Sequence, residues 1–234
     1  MLLRQFLMDE YRFLTFRAPS VAIREHSGAY LAFGLLLTWA AGVGRYWDSP
    51  DALLWQYVGL GSLAYVFLLA LVLWALVAPL GPKNWSYRNV LLFISLTAPP
   101  ALLYAIPVEI FFSTPVALAL NGLFLAVVAA WRVALLFTFL RRAAGLDGVA
   151  IVVAALLPLA LIVDGLAVMN LEHVVYQSMI GMRNPDGTAD DENTVVQFIC
   201  ALAAALTPAL LACYGWMAYK VRVSGVALRV GGAL

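Results

Sequence analysis

The stretch LLWQYVGLGSLAYVFLLALVLWALVAPL, residues 53–80, decides the fold. It holds no Asp, Glu, Lys or Arg. A helix needs about 20 mostly apolar residues to cross the hydrocarbon core of a bilayer. Leu53–Leu80 exceeds that length, enough to cross with tilt, and it stops at Gly81-Pro82. Working outward, five more segments read the same way. The first span is Gly28–Gly44, extendable to Trp47. The third is Val90–Ile106, broken in the middle by Pro99-Pro100. The fourth is Pro115–Leu140, opening on a Pro suited to a first helical turn. The fifth is Val149–Met169 and the sixth Val195–Val221, with Pro158 and Pro208 expected to kink them. The expected fold is an all-α, polytopic bundle of six transmembrane helices.

Composition agrees. Apolar residues make up 64% of the chain and charged residues 12%, against about 45–50% and 25% in soluble domains. Mean hydropathy is +0.92. The spans consume most of the 234 residues, leaving no segment for a separate water-soluble core. A net charge of +1 points to no nucleic-acid partner. Cys200 and Cys213 fall in one span, about 20 Å apart along a helix, so they read as packing residues and not as a bridge.

Lys and Arg in short loops set orientation. With six spans, one side collects Arg4, Arg12, Arg17, Arg24, Lys83, Arg88, Arg141, Arg142, Lys220, Arg222 and Arg229, eleven in all. The other side has Arg45 and Arg183. That bias places both termini in the cytoplasm. The chain divides into a cytoplasmic amphipathic segment (1–26), a six-helix domain (27–221) and a cytoplasmic tail (222–234). Arg outnumbers Lys twelve to two, which suggests a GC-rich bacterial genome and hence the inner membrane. The outer side is acidic, with Asp48, Asp51, Glu109, Glu172, Asp186, Asp190, Asp191 and Glu192.

Within residues 1–26, Leu3, Phe6, Leu7, Tyr11 and Leu14 recur at three- and four-residue steps. The pattern predicts an amphipathic helix ended near Pro19. It lies either on the membrane surface or on the protein's own cytoplasmic face. Charges throughout Met1–Arg17 exclude the apolar core of a secretory signal.

Ionisable groups inside a span are costly and so are the first functional suspects. Asp164 sits in the outer third of span five. Arg132 sits in span four, roughly 12 Å from its inner end. Their depths differ by about 10 Å, which sets against a direct ion pair. Arg132 can instead snorkel to headgroups, and Asp164 can be a hydrogen-bonded carboxyl between helices. Gln56, Glu109, Asn121, Asp164 and Gln197 gather at one outer level on five helices. If those helices face one another, they line a polar cavity open to the outside. The alternative is that polar residues simply tolerate the interface. Pro99-Pro100 frees backbone carbonyls mid-membrane that must find partners elsewhere.

Other signals are weaker. Asn170-Leu171-Glu172-His173 offers adjacent metal-capable groups that diverge by about 100° on a helix. Asn184-Pro185-Asp186-Gly187, with Asp190, Asp191 and Glu192, lacks the spacing of a calcium loop. His26 and His173 fall on opposite sides. No nucleophile elbow, Walker loop or zinc-ligand helix occurs, so no catalytic residue, metal or cofactor is expected. Small residues Ala201, Ala205 and Ala212, and Gly59, Gly61 and Ser62, permit close helix approach.

The segment Ser86-Tyr87-Arg88-Asn89-Val90-Leu91-Leu92-Phe93, then Thr97-Ala98-Pro99-Pro100-Ala101-Leu102-Leu103, resembles the Yip family of small multi-pass membrane proteins. The shared pattern is a polar lead-in, an apolar helix and a prolyl break. The resemblance implies a role in membrane organisation or protein association and supplies no catalytic residues. The expected function is therefore non-enzymatic: a scaffold, tether or membrane-complex subunit. Its partners would be the lipid bilayer and other membrane proteins or copies of itself. A small transporter or channel with a cavity around Asp164, and a lipid-binding protein or intramembrane enzyme, are the alternatives.

Overall fold

The computed structural model describes residues 2–18, 20–47, 53–146, 148–173, 175 and 189–231. Among these no strand occurs. The helices are α1 (Leu2–Leu14), α2 (Ala22–Glu25), α3 (Ser27–Tyr46), α4 (Leu54–Tyr57), α5 (Leu60–Val77), α6 (Tyr87–Leu96), α7 (Val108–Phe111), α8 (Thr114–Arg142), α9 (Gly148–Val168) and α10 (Ala189–Gly231). Short 3₁₀ segments occupy Ala78–Leu80 and Pro99–Ala105.

Five stretches are long and apolar enough to cross a membrane: Ser27–Tyr46, Leu60–Leu80, Pro115–Arg142, Gly148–Val168 and Thr194–Ser224. Tyr87–Leu96 and Pro99–Ala105 make a sixth if the pair, bent by 42°, counts as one span. The chain is a multi-pass membrane protein.

Two boundaries depart from the sequence reading, and a third agrees with it. Residues 53–80 do not form one helix. Gly59 takes φ +73° and splits α4 from α5, a conformation that glycine adopts without penalty. The third span breaks where its prolines predict, with the second limb wound as 3₁₀. The sixth span lies inside a helix of 43 residues, about 65 Å long. That helix runs through Pro208 and past the expected 221–222 boundary to Gly231.

The chain forms two compact units. In Met1–Leu71 with Ser86–Thr138, α3 packs along both limbs of the broken span and against α2 and α4. Glycine allows the closest approaches. A Cβ at Gly34 would collide with the Ser95 side chain of α6, and one at Gly42 would lie 2.6 Å from Ser62 Oγ on α5. Tyr30, Leu92 and Leu96 form one core with Phe6, Phe13 and Phe33 packed on it. Ala41, Ala101 and Val128 form another.

In Val72–Trp85 with Phe139–Leu234, α9 pairs with α10. Val153, Leu157 and Ala160 meet Ala203 and Leu210 there, with Tyr214 and Met217 packed alongside.

Candidate functional site

The prolyl break organises the polar interior of the first unit. In a continuous helix Ser95 and Leu96 would give their carbonyls to the N–H groups of residues 99 and 100, which proline lacks. Beyond the break the winding is 3₁₀, so Ala101 donates to Ala98 (2.9 Å) and leaves the Thr97 carbonyl without its helical donor. Other groups meet the Thr97 and Ser95 carbonyls. Arg132 of α8 donates Nε–H to the Thr97 carbonyl at 2.9 Å. Ser95 accepts from Ala98 N at 3.3 Å and from Thr38 Oγ1 of α3 at 3.4 Å. The intramembrane cation thus serves the broken helix. Nearby, the Arg45 guanidinium lies 5.2 Å from the centroid of the Tyr104 ring, a cation–π contact.

Asp164 has its partner in the second unit. Thr207 Oγ1 of α10 donates to its carboxylate at 2.5 Å. The carboxyl ties α9 to α10, with Ala160, one turn before it, in the apolar core between them.

The other residues expected at an outer polar level occupy varied settings. Gln56 accepts the Leu53 N–H at 2.9 Å, closing the first turn of α4. Asn121 is buried in α8. Gln197 is exposed on α10. Glu109 lies in α7, and its side chain is outside the described residues. Gln56, Glu109 and Asn121 belong to the first unit, Asp164 and Gln197 to the second. Asp48, Asp51, Arg183, Asp186 and the side chains of Asp190, Asp191 and Glu192 also fall outside the described residues. Residues 184–188 of the loosely calcium-like segment fall there with them. Among the described residues no three His, Cys, Asp or Glu side chains gather as a metal site. His173 Nε2 lies 3.6 Å from the carboxylate of Glu172.

The N-terminal helix carries a network that spacing alone does not reveal. Asp9 is 2% exposed. It accepts from Ser20 N (3.2 Å), Ser20 Oγ (2.7 Å) and Tyr30 Oη (2.5 Å). Burial pushes its carboxyl up, but the Tyr30 and Ser20 donors and the Arg12 charge outweigh burial and hold it below its ordinary value. Glu10 is 7% exposed, and both its oxygens lack a hydrogen-bond partner among the described residues. Burial alone pushes it up to about 8. Phe6 packs on Tyr30 and Phe33 of α3, Phe13 on Phe93 of α6, and Trp131 Nε1 donates to the Leu14 carbonyl. This face of α1 therefore sits on protein, while Leu3, Leu7 and Tyr11 are exposed.

The class these features define is an all-helical, multi-pass membrane protein whose described intramembrane polar groups largely bind one another or the backbone. No protein-family model, no curated protein and no solved structure matches the chain.

Proposed function

We propose that the chain works without catalysis, by association within the membrane, as a scaffold, tether or subunit of a larger complex. One observation carries the reading. Helix α10 uses Ala203, Thr207 and Leu210 against α9. At 100° per residue, the opposite face presents Ala201, Ala205, Pro208, Ala212 and Gly215, all exposed. Their spacing of four, three, four and three is that of a helix–helix seam. Small side chains on a membrane helix let a second backbone approach closely. A Cβ at Gly215 would meet nothing within 4 Å.

The alternatives have less behind them. A channel or transporter centred on Asp164 requires its free carboxylate oxygen to face a water-filled path, whereas the described contact of this carboxylate is with Thr207. An intramembrane enzyme or lipid-binding protein requires Asp164 and Glu109 to converge with Arg132 or a metal. The resemblance of residues 86–103 to the Yip family points towards association as well. The loop charges, eleven against two, support a cell membrane location with both termini cytoplasmic. The arginine-rich composition supports a bacterial inner membrane.

The test is the mass of the full chain in lipid nanodiscs and mild detergent, beside Ala205→Leu/Ala212→Leu. The expected result is a dimer or higher assembly that the double variant shifts to monomer while its helical content is unchanged. Native chain that is monomeric at every protein-to-lipid ratio would contradict self-association through this seam.

A further inference from the structure

We propose that α1 is a docking helix for anionic phospholipid headgroups in the leaflet that faces it. Three faces of the helix carry the argument. The protein-facing one holds Phe6, Asp9, Glu10 and Phe13. A second, apolar face holds Leu3 (64% exposed), Leu7 (53%) and Tyr11 (56%). The third is polar, with Arg4, Gln5 and Arg12.

Depth comes first. Phe6 touches Tyr30 and Phe33 with centroids 4.6 and 5.3 Å away. Those residues are the fourth and seventh of α3, which begins at Ser27. At 1.5 Å per residue they lie about 5–9 Å below the end of that span. Amphipathic interfacial helices rest about 5–10 Å into the boundary between headgroups and acyl chains. Packing on α3 and α6 therefore fixes α1 at the depth where an exposed Leu3–Leu7–Tyr11 stripe meets acyl chains.

Charge comes second. Residues 1–17 contain three arginines and two carboxylates, close to neutral by sequence. Folding encloses both carboxylates: Asp9, held ionised, is engaged by Ser20, Tyr30 and Arg12, and Glu10 is buried. Arg4, Arg12 and Arg17 stay exposed. Arg12 leans on Asp9 at 3.9 Å with its side chain 47% exposed. Arg4 and Arg12 line one open cleft with Gln5, Met8, Asp9 and Ser20. The outward surface is thus cationic beside an apolar stripe, which is the complement of an anionic bilayer surface.

Two measurements on the full chain test this, in nanodiscs of phosphatidylcholine with and without phosphatidylglycerol. A nitroxide at Leu7→Cys, with Cys200 and Cys213 replaced by Ala, reports depth. It should be reached by oxygen and shielded from a water-soluble nickel reagent. Native mass spectrometry counts retained phosphatidylglycerol, which should fall about fivefold in affinity per arginine removed in Arg4→Gln, Arg12→Gln and Arg17→Gln. High salt should weaken retention in the same way. A label reached by the nickel reagent, or shielded from both reagents, overturns the proposal. So does a triple variant that folds and retains phosphatidylglycerol as well as the native chain.

Discussion

Replacing Arg132 with Met isolates the partnership that holds the broken span. The substitution removes the Nε–H that meets the Thr97 carbonyl at 2.9 Å. A buried acceptor left without its donor costs about 1–3 kcal/mol. Removing a guanidinium from mid-span also relieves about 2.5–3.5 kcal/mol on insertion scales. The two effects oppose each other, so the single variant alone decides nothing. A double-mutant cycle with Pro99→Ala/Pro100→Ala separates them. In that background residues 99 and 100 regain their N–H groups, the helix can continue, and Ala101 can donate to Thr97. The guanidinium relief appears in both arms and cancels. Arg132→Met should therefore be more destabilising in the native background than in the alanine background, by about 1–3 kcal/mol. Equilibrium unfolding in mixed micelles, followed by tryptophan fluorescence, reads both arms. Equal effects in the two backgrounds, within about 0.5 kcal/mol, would refute the claim that Arg132 serves the prolyl break.

Other predictions follow from the same geometry. Asp164→Leu and Thr207→Val should couple by about 0.6–1.7 kcal/mol, the range for hydrogen bonds between membrane helices; a cycle with no coupling would remove the α9–α10 tie. Gly34→Ala should destabilise by about 1–3 kcal/mol through overpacking against Ser95, and Ser95→Gly should restore much of the loss in the same unfolding assay. The docking of α1 should depend on pH in two directions. Glu10, raised to about 8 from 4.5, binds its proton more tightly folded than unfolded, so its contribution declines as pH rises from about 4.5 to 8. Asp9 is lowered from 3.8, so its contribution is present above that value and fades as pH falls through its folded value. The mobility of a spin label at Gln5→Cys should be least between these limits, and Glu10→Gln should abolish the alkaline rise. A label whose mobility ignores pH from 5 to 9 would contradict the burial of Glu10.

Much of the fold is legible because lipid imposes length. The apolar runs and the Pro99-Pro100 break can be read from local sequence, since a missing N–H depends only on residue type. The partners can not. Nothing near Thr97 indicates that Arg132, 35 residues away, supplies the donor. The Asp164–Thr207 pair is separated by 43 residues, so Asp164 reads as a lone carboxylate until α9 and α10 are packed together. Gln56 is different, because its use is local: a Gln three residues after Leu53 can close a first helical turn. Asp9 and Glu10 sit in an amphipathic pattern that normally exposes charge, and only the packing of Phe6 and Phe13 on α3 and α6 turns them inward.

Residues 87–105 are expected to cross the bilayer as one broken span, which would make six crossings. The most direct measurement uses single cysteines at Asn84 and Phe112, with Cys200 and Cys213 replaced by Ala, in sealed vesicles of known orientation. An impermeant maleimide should reach position 84 from one face and position 112 from the other. Labelling of both from the same face would make the bent pair a re-entrant loop, reduce the crossings to five and place the termini on opposite sides.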